Sequence, residues 1–505
     1  MSNALHAKAA GAAAVTLSEK NLAQLPPSVA RPNYDRSKVG IGIAHISLGA
    51  FHRAHQAVYT DDILAKQGGN WGILGIGARV EDQKLVDAMR AQDSLYTVVT
   101  RDGDKEEARV IGSIRDVTLM PGQQAQLIAR LTDPAIKIMA LTITEKGYCL
   151  DSATGRLDAN HPFIKHDVQN PDTPQSAIAL IVVALAARKQ AGVAPFTVMS
   201  CDNLPGNGHK TKTVVTDFAQ LRDPALAAWI AAEVAFPNTM VDRITPVTMP
   251  HDVDAVAERF NVADACPVVC EEFRQWVLED HFPQGRPAWE AAGAQFVADV
   301  YPYELAKIRL LNVSHTMFAY PAFLAGYEFV SDGASDPVLA NFVRAIMDKE
   351  ITPTLPPVPG MDLEPYKTTL IKRFANPAIK DRWERICSDG SQKLANQLLP
   401  IVRERMQAGK GYTGLAVAVA SWLRYLTATG ENGKDYALND PLADRLKQLA
   451  RQGGRDPMPV LNVREVFGED LPQHAEFVGI VRQALDDFYT LGTKATLTKW
   501  QSKLA

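Results

Sequence analysis

The chain reads as two domains: an α/β domain built on a parallel sheet, then a mainly α-helical one. Three observations predict this. At 505 residues it is too long for one core, because a domain usually takes about 100–200 residues. Short apolar runs alternate with helical stretches through roughly the first two hundred residues, which is the spacing of repeated strand–helix–strand units. From about residue 303 onward the periodicity is helical alone. The boundary falls near residue 297, giving a first domain over 1–297 and a second over 298–505.

Residues 1–37 form an N-terminal arm in which Pro26, Pro27 and Pro32 stop any helix. The first strand is expected over 39–46. It runs into Leu48-Gly49-Ala50-Phe51, and a helix follows over 53–67. A second strand over 71–78 completes a βαβ unit. Residues 137–144, rich in Ile, Leu and Thr, read as a buried strand. Thr173-Pro174 supplies an N-cap and a helix-first proline for a helix over 175–191. The next strand, 196–201, ends in Asp202-Asn203. Further helices are expected over 304–323, 337–347, 363–374, 391–406 and 415–426, with the proline-rich stretch 353–359 as a connector.

Composition narrows the function. With 46% hydrophobic and 22% charged residues the chain is an ordinary globular protein. A net charge of −4 gives no reason to expect nucleic acid or an anionic membrane as a partner. The longest apolar run, 177–187, is shorter than the roughly 18 residues that suggest a span. The Ala-rich start, interrupted by His6 and Lys8 with Glu19 beyond, lacks the apolar core of a signal peptide. Five cysteines, an odd number, argue against a disulfide framework and for a reducing, cytoplasmic setting. Cys266 and Cys270 form a C-x-x-x-C pair with no second pair, and core thiols explain it more simply than a metal.

Two segments carry chemistry. The first strand ends in Ser47-Leu48-Gly49-Ala50-Phe51-His52-Arg53. A dinucleotide site needs a tight turn here, with backbone N–H groups meeting the pyrophosphate at a helix start. The usual G-x-G-x-x-G is absent: Ser47 and His52 stand for its first and third glycines, and a plain β–α turn fits as well. The second strand ends before Arg79-Val80-Glu81-Asp82. Glu81 and Asp82 suit the ribose hydroxyls of NAD and repel a 2′-phosphate, or else are solvated loop charges; Arg79 leaves some NADP use open.

The other segment runs from Tyr303 to His315. On an α-helical wheel with Lys307 at zero, Glu304 lies near ~60°, His315 near ~80° and Asn312 near ~140°. The four polar groups share an arc of roughly 140° that also holds Ile308 and Leu311. Burial among apolar groups lowers a lysine pKa and makes it a base near neutral pH; the bland alternative is a solvated stripe. Asn203, just past a strand end, either binds a ligand or only begins a turn. One base and two donors suffice to oxidise a secondary alcohol with a nicotinamide. No His, Cys or Glu spacing builds a catalytic zinc site, so no metal is expected.

These residues resemble the long-chain polyol dehydrogenase family. The matching stretches are Gly49-Ala50-Phe51-His52-Arg53-Ala54-His55-Gln56, Leu141-Thr142-Ile143-Thr144-Glu145, Val198-Met199-Ser200-Cys201-Asp202-Asn203, Met240-Val241-Asp242-Arg243, Lys307 through His315, and Cys387-Ser388-Asp389-Gly390-Ser391. The resemblance implies a Rossmann-type N-terminal domain, a helical C-terminal domain, and an active site between them. It implies Lys307 as general base, Asn203 and Asn312 as oxyanion donors, and Glu304 as the outlet for the lysine's proton. His315, Asp242, Arg385 and Lys393 would hold the polyol. Gly49, Ala50, Phe51 and Arg53 would hold NAD, with Glu81 and Asp82 toward its ribose. The connector Thr354-Leu355-Pro356-Pro357-Val358-Pro359-Gly360-Met361-Asp362 and Glu384-Arg385-Ile386-Cys387-Ser388-Asp389 look more like the mannitol branch. Three departures stand out: Ser47 for a glycine, Val313 for a small residue, and Lys146, which the uronate branch tends to carry.

The reading is therefore an NAD-dependent, metal-independent oxidoreductase of a sugar alcohol and its ketose, D-mannitol and D-fructose first. The chain would be a monomer or small homo-oligomer whose partner is a small polyol or ketose. A hexuronate reductase is the alternative in the same fold, with Lys146, Arg309 or Arg385 meeting the carboxylate, and an arabinitol dehydrogenase is another. A nucleotide-sensing scaffold without turnover is the reading from a different class. The intact Lys307, Asn312 and Asn203 set argues against it.

Overall fold

Residues buried on both faces make the central strands. Ile41–Ile46, Gly72–Gly77, Ile138–Leu141 and Thr197–Ser200 are almost wholly buried, as a parallel sheet covered by helices requires. With Ile114–Leu119 they form a five-stranded sheet in the order Ile114–Leu119, Gly72–Gly77, Ile41–Ile46, Ile138–Leu141, Thr197–Ser200. All its pairs are parallel. The chain winds outward from Ile41–Ile46 in one direction and returns to its other side at Ile138–Leu141. That reversal is the point where sheets of this kind bind ligands at their carboxyl ends. The computed structural model describes residues 14–151 and 154–504. The Ala-rich start with His6 and Lys8 lies outside them. The chain divides into two units between Val300 and Tyr301.

The first unit holds more sheet than the sequence suggests. Tyr96–Asp102 and Lys105–Ile111 form an antiparallel hairpin, which Val268–Glu271 joins in parallel. Thr239–Asp242, Gln275–Glu279 and Gln295–Val297 make a third sheet. The N-terminal arm is also woven in, with Val29–Ala30 pairing beside Ala108 and Arg109. Buried Arg36 fastens it by donating to the carbonyls of Asp93, Gly112 and Ile114. The expected helix over 53–67 is two helices, Ala50–Ala54 and Gln56–Gln67, broken at His55. Thr173 is not the cap of the following helix. Ser176 caps Ala177–Gln190 by accepting from the Ala179 N–H at 3.1 Å.

In the second unit the helix Thr413–Tyr425 is buried at every position after Thr413 and packs with Val313–Leu324 and Ala475–Leu491. Among the described residues its only β pairing is isolated bridges. The helix expected over 304–323 is not uniformly α. It runs as Tyr301–Ala306, then a π-helical turn Lys307–Asn312, then Val313–Leu324. Another π turn, Leu394–Leu398, divides the helix expected over 391–406.

Candidate active site

In the first unit the predicted residues collect at one edge of the five-stranded sheet. Ile46 is level with Ile76 and with Leu141, and Leu141 is level with Ser200. The segments beginning at Ser47, Gly77, Thr142 and Cys201 therefore leave the sheet side by side. Ser47 has φ 81°, the left-handed conformation that glycine provides at this position in the usual fingerprint. Its N–H donates to Ile76 O at 2.8 Å, locking the turn to the neighbouring strand. Leu48 turns inward against Gly75, where a Cβ would sit 2.3 Å from Leu48 Cδ2 and push that side chain aside.

Gly49 is different. It is exposed, and a Cβ on it would meet only Ser47 Oγ, at 3.6 Å. Nothing within the protein requires glycine there, so the bare backbone suits a ligand that comes close. Ala50 and Phe51 open the following helix, with Phe51 stacked on His55 at 5.0 Å. Arg53 departs from its expected role. Its buried guanidinium donates to Leu48 O at 3.0 Å and Cys266 O at 2.5 Å, and lies over the Tyr96 ring. It clamps the turn from within.

The acidic pair divides its work in the same way. The Asp82 carboxylate accepts from the N–H groups of Ala78 and Arg79 at 2.9 and 3.0 Å. It shapes the corner after the second strand, and Glu81 stays exposed beside it.

Asn203 is exposed, just beyond the strand Thr197–Ser200. The residue before it does the holding. Asp202 accepts from the Ile143 and Thr144 N–H groups at 3.0 and 2.9 Å and from Tyr148 Oη at 2.7 Å. Burial raises its carboxyl pKa while those donors oppose the rise. Asn207 donates to Asp202 O and Thr239 O, joining the Asn203 loop to the strand that ends in buried Asp242. Sequence reasoning missed Asp202, Tyr148 and Asn207. Asp202's place at a strand end was the one available signal.

In the second unit Lys307, Asn312 and His315 occupy consecutive turns of one helix, and Lys307 is 6% exposed. A π turn takes up one extra residue. Residues beyond it move back by about 100°, which puts Asn312 near ~40° and His315 near ~−20° from Lys307. The arc holding the four polar groups thus narrows to about 80°. The straight α wheel spread them too widely. Tyr303 Oη donates to Pro359 O at 2.6 Å, fastening the start of this helix to the proline-rich connector. His315 stacks on Phe374 at 4.3 Å, and its Nε2 has no hydrogen-bond partner. Burial pushes it down to about 3, so the ring is neutral and able to serve a hydroxyl. Arg385 pairs with Asp381 through two nitrogens. Lys393 Nζ donates to Ile386 O at 2.7 Å, and burial lowers its pKa.

The other cations weighed for a carboxylate are placed differently. Arg309 donates to Thr354 O at 2.8 Å and pairs with Glu404 at 2.6 Å. Lys146 is exposed on the short helix Thr144–Gly147. Val313 is fully buried in the helical core, which accounts for its bulk where a small residue is usual.

Residues 41–291 match the Mannitol dehydrogenase Rossmann domain, and residues 299–489 match the Mannitol dehydrogenase C-terminal domain. The chain belongs to the mannitol dehydrogenase family. It is 44% identical over 472 residues to the D-mannonate oxidoreductase of Escherichia coli (strain K12), covering 92% of this chain and 97% of that protein. It is also 44% identical over 474 residues to a mannitol 2-dehydrogenase of Cereibacter sphaeroides, covering 94% and 99%. Among solved structures it is similar to the Pseudomonas fluorescens mannitol 2-dehydrogenase ternary complex with NAD and D-mannitol. That match has a TM-score of 0.87 at 44% identity and covers 97% of this chain and all of that one. The α/β unit followed by a helical unit is the mannitol dehydrogenase arrangement, and the sequence reading of fold and family stands.

Proposed function

We propose that this chain is an NAD-dependent oxidoreductase that interconverts D-mannitol and D-fructose, with Lys307 as general base and no metal. The observation that carries the reading is the π-helical turn, which sets buried Lys307 and half-buried Asn312 at its two ends with His315 on the next turn. Each group has one task. Lys307 Nζ, unprotonated, takes the proton of the substrate hydroxyl. The side-chain N–H groups of Asn203 and Asn312 donate to the oxygen as negative charge grows on it, a kind of contact typically worth about 3–4 kcal/mol of barrier each. Glu304 carries the proton from the lysine toward water. His315, Asp242, Arg385 and Lys393 hold the remaining hydroxyls.

NAD, when bound, supplies the acceptor for the hydride. The turn from Ser47 to Phe51 would hold its pyrophosphate, for which bare and exposed Gly49 is suited. Glu81 would accept from the ribose hydroxyls, with Asp82 keeping the corner in shape. Among the described residues no group of three or more His, Cys, Asp or Glu is placed to hold a metal ion. Five free, buried cysteines favour a reducing compartment, the cytoplasm. Among the described residues no helix is long and apolar enough to cross a membrane.

Hexuronate reduction is the second reading. It is favoured by Lys146 and by an identity to the D-mannonate oxidoreductase equal to that for a mannitol 2-dehydrogenase. Initial rates of NADH formation with D-mannitol, D-arabinitol and D-mannonate separate the two. D-Mannitol is expected to give the highest kcat/KM. A preference for D-mannonate would replace the first reading with the second, and no turnover of any of the three would refute both.

A further inference from the structure

Arg385 lies on the short helix Trp383–Ile386, and its side chain is 65% exposed. Asp381, one turn earlier, is almost fully buried. Its Oδ1 accepts from Arg385 Nε at 2.7 Å and its Oδ2 from a terminal nitrogen of the same guanidinium. Such two-point pairs fix the plane of the guanidinium as well as its position. The backbone around Asp381 is anchored independently of this carboxylate: its N–H donates to Ile379 O and its carbonyl accepts from the Val330 N–H, both at 2.9 Å. The carboxylate also accepts from the Arg382 N–H at 2.9 Å. The charged groups acting most strongly on His315 are Asp381, Arg385, Lys393 and Arg373. Asp381 is the carboxylate bound to Arg385, the most exposed of these cations.

We propose that Asp381 is a specificity-determining residue, which holds Arg385 edge-on so that the enzyme accepts a neutral terminal hydroxyl in preference to a terminal carboxylate. This rests on the polyol reading above. Two of the three guanidinium nitrogens are committed to Asp381. The third can donate to a hydroxyl, which brings no charge. A uronate carboxylate could not pair with two nitrogens without displacing Asp381. A single contact would leave two carboxylates a few ångströms apart across one guanidinium. Repulsion at that range corresponds to about a tenfold loss of affinity in a partly solvated site.

The test compares D-fructose with D-fructuronate, which carries a carboxylate in place of the terminal CH2OH. Both are reduced with NADH by wild type, Asp381→Asn and Asp381→Glu. Asparagine keeps the shape and removes the charge. It is expected to lower the fructose-to-fructuronate ratio of kcat/KM about tenfold or more, through KM, with kcat changed by no more than about threefold. Glutamate restores the charge one methylene farther out and should keep the preference for D-fructose at a raised KM. Should the asparagine variant fail to fold, the glutamate variant decides by its ratio alone. An unchanged ratio in Asp381→Asn, an equal loss on both substrates, or a glutamate variant that shifts toward fructuronate overturns the proposal. The wild-type rates test the polyol reading separately: turnover of D-fructuronate alone refutes that reading, whichever way the variants shift.

Discussion

Lowering the pH from 7.5 to 5.5 should destabilise the first unit by about 4 kcal/mol through three buried histidines beneath the Ser47 turn. His45 Nδ1 lies 2.6 Å from Gln56 Oε1 and its Nε2 lies 3.0 Å from Thr142 Oγ1. Its ring stacks on His52 at 3.4 Å, and neither nitrogen of His52 makes a hydrogen bond of good geometry. His55 Nε2 is 2.9 Å from Gln275 O. Burial pushes His45 and His55 down to about 3, and lowers His52 as well. The folded values lie below the unfolded value of about 6.5. The stabilisation is therefore complete above that value and is lost as pH falls toward about 3. Between pH 7.5 and 5.5 the unfolded chain gains a factor of about ten per histidine, or about 1.4 kcal/mol each. Glu350, raised by burial to about 6 in the second unit, acts in the opposite sense, by about 0.8 kcal/mol over the same interval. Urea unfolding at the two pH values measures the loss, and Trp276, 5.5 Å from His55, gives fluorescence local to the cluster. His52→Phe keeps a stacked ring and removes one titrating group, so the loss should shrink by about 1.4 kcal/mol. An identical loss in wild type and variant, or histidine signals titrating near 6.5 in the folded protein, would refute the reasoning.

Two further predictions concern the cofactor turn. Gly49→Ala should leave the melting temperature unchanged or slightly raised, because the site has room and alanine restricts the unfolded chain by about 0.4–1 kcal/mol. NADH affinity, measured by fluorescence titration, should fall tenfold or more, and unchanged affinity would remove Gly49 from the cofactor site. Glu81→Gln should narrow the preference for NAD over NADP by about 1 kcal/mol, roughly fivefold in relative kcat/KM, with little effect on stability. Asp82→Asn should instead lower stability by about 1–2 kcal/mol through the loss of charge-assisted bonds to two N–H groups. Equal stability losses in the two variants would contradict that division.

Four strands of the central sheet were legible because each is an apolar run buried on both faces, which solvent-facing structure does not tolerate. The hairpin Tyr96–Asp102 and Lys105–Ile111 was missed because Lys105, Glu106, Glu107 and Arg109 break the apolar pattern of its second strand. Its signal was Asp102-Gly103 at the turn, where Gly103 has φ 56°. The residue types of the catalytic helix were legible, but its geometry was not. No spacing rule announces a π turn, and a single inserted residue moves Asn312 and His315 by about 100° relative to Lys307. Arg53 shows another limit of the sequence. A cation beside a candidate phosphate turn invites a ligand role, and only the carbonyls of Leu48 and Cys266 reveal that it faces inward. Asp381 and Arg385 were readable as an i,i+4 pair, but such pairs are common on solvated helices and carry no functional signal alone.

The most direct test of the mechanism is the turnover of Lys307→Ala with D-mannitol and NAD, measured across pH beside NADH affinity. Turnover should fall by several orders of magnitude with NADH affinity within about threefold of wild type, and added methylamine should restore part of the rate by supplying the missing base. Near-normal turnover at neutral pH in the alanine variant would contradict the assignment of Lys307 as the base.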